Sequence, residues 1–406
     1  MKYIILLGDG MADYPLEELN ERTPLEVAST PNMNRIAGDG SVLLIDTIPS
    51  GMTPGSDVAN LAVLGYDPSV YHTGRGPLEA ASMGVKLSAD DVAFRCNLVT
   101  LGDDETMVDF TADHISSDEG AELIDMLNEK LGTTDIRFYA GVGYRHLMVW
   151  TGGNEWIGTT PPHDITGQSI ANHLPLGEGS NVLNRLMASS RELLTRHPVN
   201  KGRLNQGKRP ATSIWPWGQG KVPRITPITE RYGITGGVIS AVDLIKGIGY
   251  YAGLISIPVL GATGYTDTNY AGKVEAALHC LSENDFVFLH VEAPDEMGHE
   301  GNVQGKIAAI EDFDRKVVGP VLEDIPSLGE YRVAVLSDHP TPIVKKTHVS
   351  DPSPLAVISS RDGENLKVGV AFHEKSAASS GRMLTPGHQF MEYFLGDWRS
   401  YIGRSS

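Results

Sequence analysis

The chain has 406 residues and carries 51 acidic against 33 basic side chains, a formal charge of -18 that no Lys/Arg-rich block offsets. That balance excludes a general binder of nucleic acid or of an anionic membrane surface. Its two cysteines, Cys96 and Cys280, lie far apart with no CxxC spacing, which excludes a disulfide framework and a thiolate zinc site and fits a reducing, cytoplasmic setting.

No apolar run approaches the roughly 18 residues of a spanning helix, and the run before Gly8-Asp9-Gly10 is too short for a signal segment. The first element is YIILLGDG, residues 3–10, a near-continuous apolar run that predicts a strand buried on both faces and ends at Asp9. Next, SGMTPGSDVANLAVLG, from residue 50, places Ser56 in a Gly/Pro turn before an apolar segment. A hydroxyl there can cap a helix by accepting an orphan backbone N–H, the commoner role, or it can serve as a nucleophile. Residues 91–261 differ in texture: they hold most of the tryptophans, the stretch IWPWGQGKVP and a helix-like segment over 182–197. They are expected to form an inserted α+β domain, with IWPWG in its core, while 1–90 and 262–406 form a discontinuous catalytic domain. In that second part, 272–284 and 305–325 read as crossover helices, and 285-DFVFLHVEAPDE-296 and 331-YRVAVLSDH-339 as buried strands. The fold class expected is α/β, a mostly parallel sheet flanked by helices. In such sheets ligands sit beyond the carboxyl ends of the strands, where the apolar runs all end on Asp or His.

Asp295 and His299 in PDEMGHE are four apart and share a face of a helical turn. Asp338 and His339 in SDHP leave a strand end together, and His348 lies in a polar loop. Singly each has an ordinary role, such as Asp9 stabilising a turn. Jointly, these Asp and His side chains with the Ser56 oxygen are donors suited to Zn²⁺ or Mn²⁺. Two such cations, roughly 3.5–4 Å apart, would polarise a phosphoryl group and hold Ser56 ready for in-line attack. A helix N-terminus at Ser56 would favour its phosphorylated form, so the cap and nucleophile readings are compatible.

The stretches GDGMADYP, TPLEVASTPNMNRIA, PGSDVANLAVLGYDP, TGRGPLEA, VAFRCN, ISAVDLIKGIG, GATGYTDTNYAGK, PDEMGHEGN and LSDHPTP, in this order over nearly the whole chain, resemble the archaeal-type cofactor-independent phosphoglycerate mutases, a branch of the alkaline phosphatase superfamily. The resemblance implies an alkaline-phosphatase-like domain carrying an inserted cap domain, and Ser56 as the phosphorylated nucleophile. It implies one divalent cation on Asp9, Ser56, Asp338 and His339 and a second on Asp295, His299 and His348, with Mn²⁺ foremost and Zn²⁺ or Mg²⁺ as alternatives. The implied substrate is a small phosphorylated molecule: Ser56 takes the phosphoryl group of 3-phosphoglycerate, and the glycerate 2-hydroxyl reclaims it in a cleft from which the cap excludes water.

One segment departs from the family pattern. Where those mutases carry an Arg-rich stretch after VAFRCN, this chain has 109-DFTADHISSDEG-120, with His114 and no Arg. Bidentate Arg is the natural clamp for a carboxylate. The departure resembles a bacterial side branch proposed to act as homoserine kinase, although neither a Walker motif nor a glycine-rich kinase loop is present. A metal-dependent phosphomonoesterase is a further alternative, and a silent binding protein is disfavoured by the intact donor set. The remaining candidates for substrate binding are Arg75, Arg95, Arg145, His163 with Asp164, and Lys246, with Arg75, Arg145 and His163 expected to act as a group.

Overall fold

The computed structural model describes residues 1–361 and 370–403. They divide into two compact units, Met1–His72 with Arg224–Ser406, and Thr73–Pro223.

The first unit is built on an eight-stranded sheet. At its centre the strand Lys2–Gly8 pairs in parallel with Phe286–Val291 on one side and Tyr331–Leu336 on the other. Gly236–Ile239 extends the first side in parallel, followed by the short edge strand Ile255–Ser256. Beyond Tyr331–Leu336, Ser353–Ser359 runs antiparallel to it, Ser41–Ile45 pairs antiparallel with Ser353–Ser359, and Met383–Leu384 closes that edge in parallel with Ser41–Ile45. The apolar runs are continuous because both faces are covered: Ile4 and Leu6 join one core with the helices, while Ile5 and Leu7 are also wholly buried. The covering helices include Pro31–Asp39, Tyr270–Glu283 and Val303–Phe313, the last continuing through a π turn at Asp314–Val318 into Gly319–Asp324. Their starts follow local chemistry. Asn269 and Asn302 accept the backbone N–H of Gly272 and Gly305, and the Asp314 carboxylate accepts those of Asn32 and Met33, capping a neighbouring helix from outside.

The second unit carries a five-stranded antiparallel sheet. Its long strand Asp91–Leu101 lies between Arg145–Thr151 and Ser213–Gly220, and Ile136–Val142 and Met107–Asp109 complete it. Helices Ser117–Leu131 and Ser180–Arg196 pack Leu123, Leu127, Leu183 and Leu194 against Phe94, Cys96, Leu98 and Trp215. Trp215 and Trp217 are buried in this core, where IWPWG was expected.

Both boundaries differ from the expected 91–261. Helix Arg75–Ser82 belongs with the second unit because Gly76 lies against the backbone of Ala93: a Cβ there would sit 2.1 Å from the Ala93 carbonyl oxygen. Residues 224–261 belong with the first because Gly236–Ile239 pairs with Phe286–Leu289 in the main sheet. An apolar run of four residues carries too little pattern to assign to one sheet or the other before its partner is known.

Candidate active site

The parallel register decides which side chains meet. Gly8 pairs with Val291 and Leu7 with Leu336, so Asp9, Glu292 and the Ser337-Asp338 pair emerge one step past the carboxyl ends of three adjacent strands. Helix Ala293–Glu300 begins immediately after the second of them and presents Asp295 and His299 on one face.

Asp9, Asp338 and His339 are fully buried and form one cluster; His339 Nε2 lies 3.5 Å from Asp9 Oδ1 and 3.5 Å from Asp338 Oδ2. Asp295, His299 and His348 form another, with the two Nε2 atoms 3.0 Å apart and His299 Nε2 3.1 Å from Asp295 Oδ2. The clusters adjoin, the His339 and His348 ring centroids being 4.2 Å apart. Thr341 links them: its hydroxyl donates to Asp295 Oδ1 and, with its proton so engaged, accepts from His339 Nδ1 at 3.3 Å. His339 Nε2 is thereby left bare, and Ser56 Oγ lies 3.2 Å from it.

Ser56 is buried at the first turn of helix Ser56–Val63, but Gly55 occupies the cap position and the serine makes no side-chain cap bond. The cap reading is therefore corrected: the hydroxyl is turned toward His339. Asn60, one turn on, holds both ends of the arrangement, donating to the Ser56 carbonyl at 2.9 Å and to Asp338 Oδ2 at 2.8 Å.

The donor set fits divalent cations. Asp9 Oδ1 is buried and has no hydrogen-bond partner among the described residues. His299 Nδ1 faces the Lys346 carbonyl at 3.0 Å, an obligatory acceptor, so in the neutral ring Nε2 carries a lone pair toward Asp295 and His348. His299 Nε2, His348 Nε2 and the Asp295 carboxylate converge at these spacings as three donor atoms that a divalent cation could take. Burial, then the neighbouring Asp338, Glu292 and Asp295 carboxylates, push Asp9 well above the usual range. Burial and Asp295 take Glu292 up to about 8. Burial alone would raise Asp295, but His299 and His348 outweigh it and hold that carboxyl well below its usual value; the same contacts overcome the burial of His299 and raise it to about 9.

Sequence reasoning missed Glu292, Asn60, Thr341 and His290. His290, wholly buried, bonds Asp9 Oδ2 through Nε2 at 2.8 Å, and a third group of potential ligands comprises Asp9, His290 and Glu292. A histidine near the end of the run FVFLHV was the available signal, since a polar ring in an otherwise apolar buried strand needs a partner.

The second unit gathers part of the expected substrate group around Trp217. The Arg95 guanidinium stacks 4.5 Å and that of Arg75 5.9 Å from the indole, with the His163 ring 5.3 Å away. Arg95 is ion-paired with Glu79 at 2.9 Å, and burial followed by the charges of Arg75 and Arg145 depresses it. Arg145 stacks on Tyr144, and His163 lies 3.6 Å from Asp164. His114 is exposed on a turn in which Ala112, Asp113 and His114 all have left-handed backbone. Lys246 belongs to the first unit and is paired with Asp243 at 3.1 Å.

Residues 37–200 match the family model described as 2,3-bisphosphoglycerate-independent phosphoglycerate mutase. A relative from Geobacter sulfurreducens is 54% identical over 399 residues, covering 97% of this chain and 100% of its own. The 2,3-bisphosphoglycerate-independent phosphoglycerate mutase of Methanosarcina mazei is 54% identical over 379 residues, covering 93% and 95%. A solved structure from Pyrococcus horikoshii superposes with a TM-score of 0.81 at 30% identity, over 100% of this chain and 98% of that one. Among the described residues no helix is long and apolar enough to cross a membrane. On identity sustained over nearly its full length, the chain belongs to the 2,3-bisphosphoglycerate-independent phosphoglycerate mutase family.

Proposed function

We propose that this chain interconverts 3-phosphoglycerate and 2-phosphoglycerate, a step of glycolysis, through a phosphorylated Ser56. The observation that carries the proposal is the placement of Ser56 Oγ 3.2 Å from His339 Nε2, inside a group of buried carboxylates and imidazoles. Asp9, Ser56, Asp338 and His339 would hold one divalent cation and Asp295, His299 and His348 a second, Mn²⁺ being the ion we favour; when bound, the ions supply charge neutralisation for the transferring phosphoryl group.

The chain's own residues do the rest. The buried Ser56 oxygen attacks phosphorus in line; the Ser Oγ–P bond forms, the bond to the substrate 3-oxygen breaks, and that oxygen takes up a proton as the serine gives one up. In the return step the 2-hydroxyl attacks phosphoserine, and the proton count reverses. Asn60 keeps the Ser56 turn and Asp338 in fixed relation through its two hydrogen bonds. The N–H groups of the first helical turn at Ser56 favour the phosphorylated side chain. For the carboxylate we favour Arg75, Arg95 and Arg145 as cationic, planar donors, since the segment 109–120 contains no Arg.

The test is a mutase assay on Mn²⁺-loaded protein, reading 2-phosphoglycerate through enolase beside free phosphate. Isomerisation without phosphate release is expected, and Ser56→Ala should abolish it while cation uptake persists. Turnover at the unsubstituted rate in that variant would exclude the covalent route, and phosphate release without isomerisation would identify a phosphomonoesterase.

A further inference from the structure

The group Asp9, His290 and Glu292 has a different proton pattern from the cluster around His339. Ser240 Oγ accepts the backbone N–H of Val242 at 3.0 Å and lies 3.1 Å from His290 Nδ1, which is the acceptor offered to its hydroxyl proton. At the other end of the ring, Nε2 is 2.8 Å from Asp9 Oδ2 and 3.4 Å from Glu292 Oε2. An unprotonated nitrogen facing a carboxylate oxygen at that distance would set lone pair against lone pair, so the proton of the neutral ring sits on Nε2 and is donated to Asp9. His339 is the reverse: its Nδ1 faces the Thr341 hydroxyl, whose proton goes to Asp295, and its Nε2 faces Ser56 Oγ at 3.2 Å.

We propose that His290, backed by Ser240, is a positioning residue that fixes the Asp9 carboxylate by occupying Oδ2, so that Oδ1 alone is offered as a cation donor. Asp9 Oδ1 is the oxygen without a hydrogen-bond partner, and it is the one that faces His339. The anchor is rigid at its base as well: the buried Lys273 donates to the His290 carbonyl at 2.9 Å, fixing the strand end from which the ring projects. Partners that orient a ligating side chain in this way are worth about 10–100-fold in metal affinity. The inference rests on the reading of Asp9 as a cation ligand.

The experiment is Mn²⁺ titration of chelator-stripped full-length protein, with stoichiometry and per-site affinity read by calorimetry and by the spin-resonance signal of free Mn²⁺. Two equivalents are expected for the unsubstituted protein and one for Asp9→Asn. His290→Leu should keep two, with one site weakened about 10–100-fold and the other unmoved. His290→Gln, whose amide N–H can reach Asp9, should recover most of that loss, and Ser240→Ala should show a smaller loss at the same site. Unchanged affinities in His290→Leu and Ser240→Ala, with one cation still lost in Asp9→Asn, would overturn this inference alone. Two full-strength sites in Asp9→Asn would overturn the ligand reading and the inference with it. A third equivalent bound by the unsubstituted protein and lost in His290→Leu would make His290 a ligand, contrary to the proposal. If His290→Leu fails to fold, Ser240→Ala decides.

Discussion

Acidification should weaken the second unit through one buried ring, His146. It lies on strand Arg145–Thr151 and is 1% exposed. Its Nδ1 accepts the N–H of Gly141 at 3.0 Å, and its buried Nε2 has no hydrogen-bond partner among the described residues. Helix Ser117–Leu131 presses on the ring at Gly120, where a Cβ would stand 3.0 Å from Cε1. A second proton would have to go onto Nδ1, destroying the bond from Gly141 and placing a charge in a dry core. Burial accordingly takes the imidazole from 6.5 down to about 4. Because the folded value lies below the unfolded one, the unfolded chain takes the proton first; the stabilisation is complete above the unfolded value and is lost as the pH falls toward the folded one. Integrating the two titrations gives a loss of about 2 kcal/mol by pH 5 and about 3 kcal/mol by pH 4.

The assay is urea unfolding followed by tryptophan fluorescence, which reports mainly on this unit because Trp150, Trp156, Trp215 and Trp217 lie in it and only Trp398 lies outside. Asp91, Asp109 and Glu119 also contribute: burial pushes each up, but hydrogen bonds from Thr151, Thr111 and Ser116 outweigh it, so their losses come at still lower pH and share the sign. Comparison with His146→Leu removes them. The variant loses a fixed amount at every pH through the unpaired Gly141 N–H, and its stability should be flatter between pH 6.5 and 4.5. Equal pH dependence in the two proteins would refute the reasoning.

Lys306 is fully buried, pairing with Asp13 at 2.7 Å and donating to the carbonyls of Thr341 and Ala12. Lys306→Met leaves the Asp13 carboxylate uncompensated and should cost about 3–5 kcal/mol, seen as a lowered Tm by calorimetry; an unchanged Tm would mean that water reaches the pair. Arg75→Ala removes a cation from the Trp217 group and should raise KM for 3-phosphoglycerate about tenfold to a hundredfold, the worth of a hydrogen bond to a charged group, while the circular dichroism spectrum is unchanged. An unmoved KM would place carboxylate binding on other residues.

Much of the metal and nucleophile arrangement was legible in the sequence for a local reason. Three apolar runs that end on Asp, on Glu-Ala-Pro-Asp and on Asp-His announce buried strands whose carboxyl ends carry polar side chains, and Asp295 and His299 share a helical face by spacing alone. What each side chain does there is another matter. Ser56 was equally consistent with a helix cap, because a serine before an apolar helix has the same local sequence in either role; only the arrival of His339, 283 positions away, turns its hydroxyl into part of the site. His290 was invisible as a partner of Asp9 because that contact depends on parallel register between strands 281 residues apart, and a one-residue slip would point the ring to the opposite face. The unit boundaries escaped for the same reason: Gly236–Ile239 has no distinctive pattern until it pairs with Phe286–Leu289. Composition and periodicity thus determined which elements form and which side chains stand at their ends. Register and packing between distant segments decided which oxygen of Asp9 lacks a partner among the described residues, which atoms face the His290 and His339 ring nitrogens, and which arginines reach the ring of Trp217.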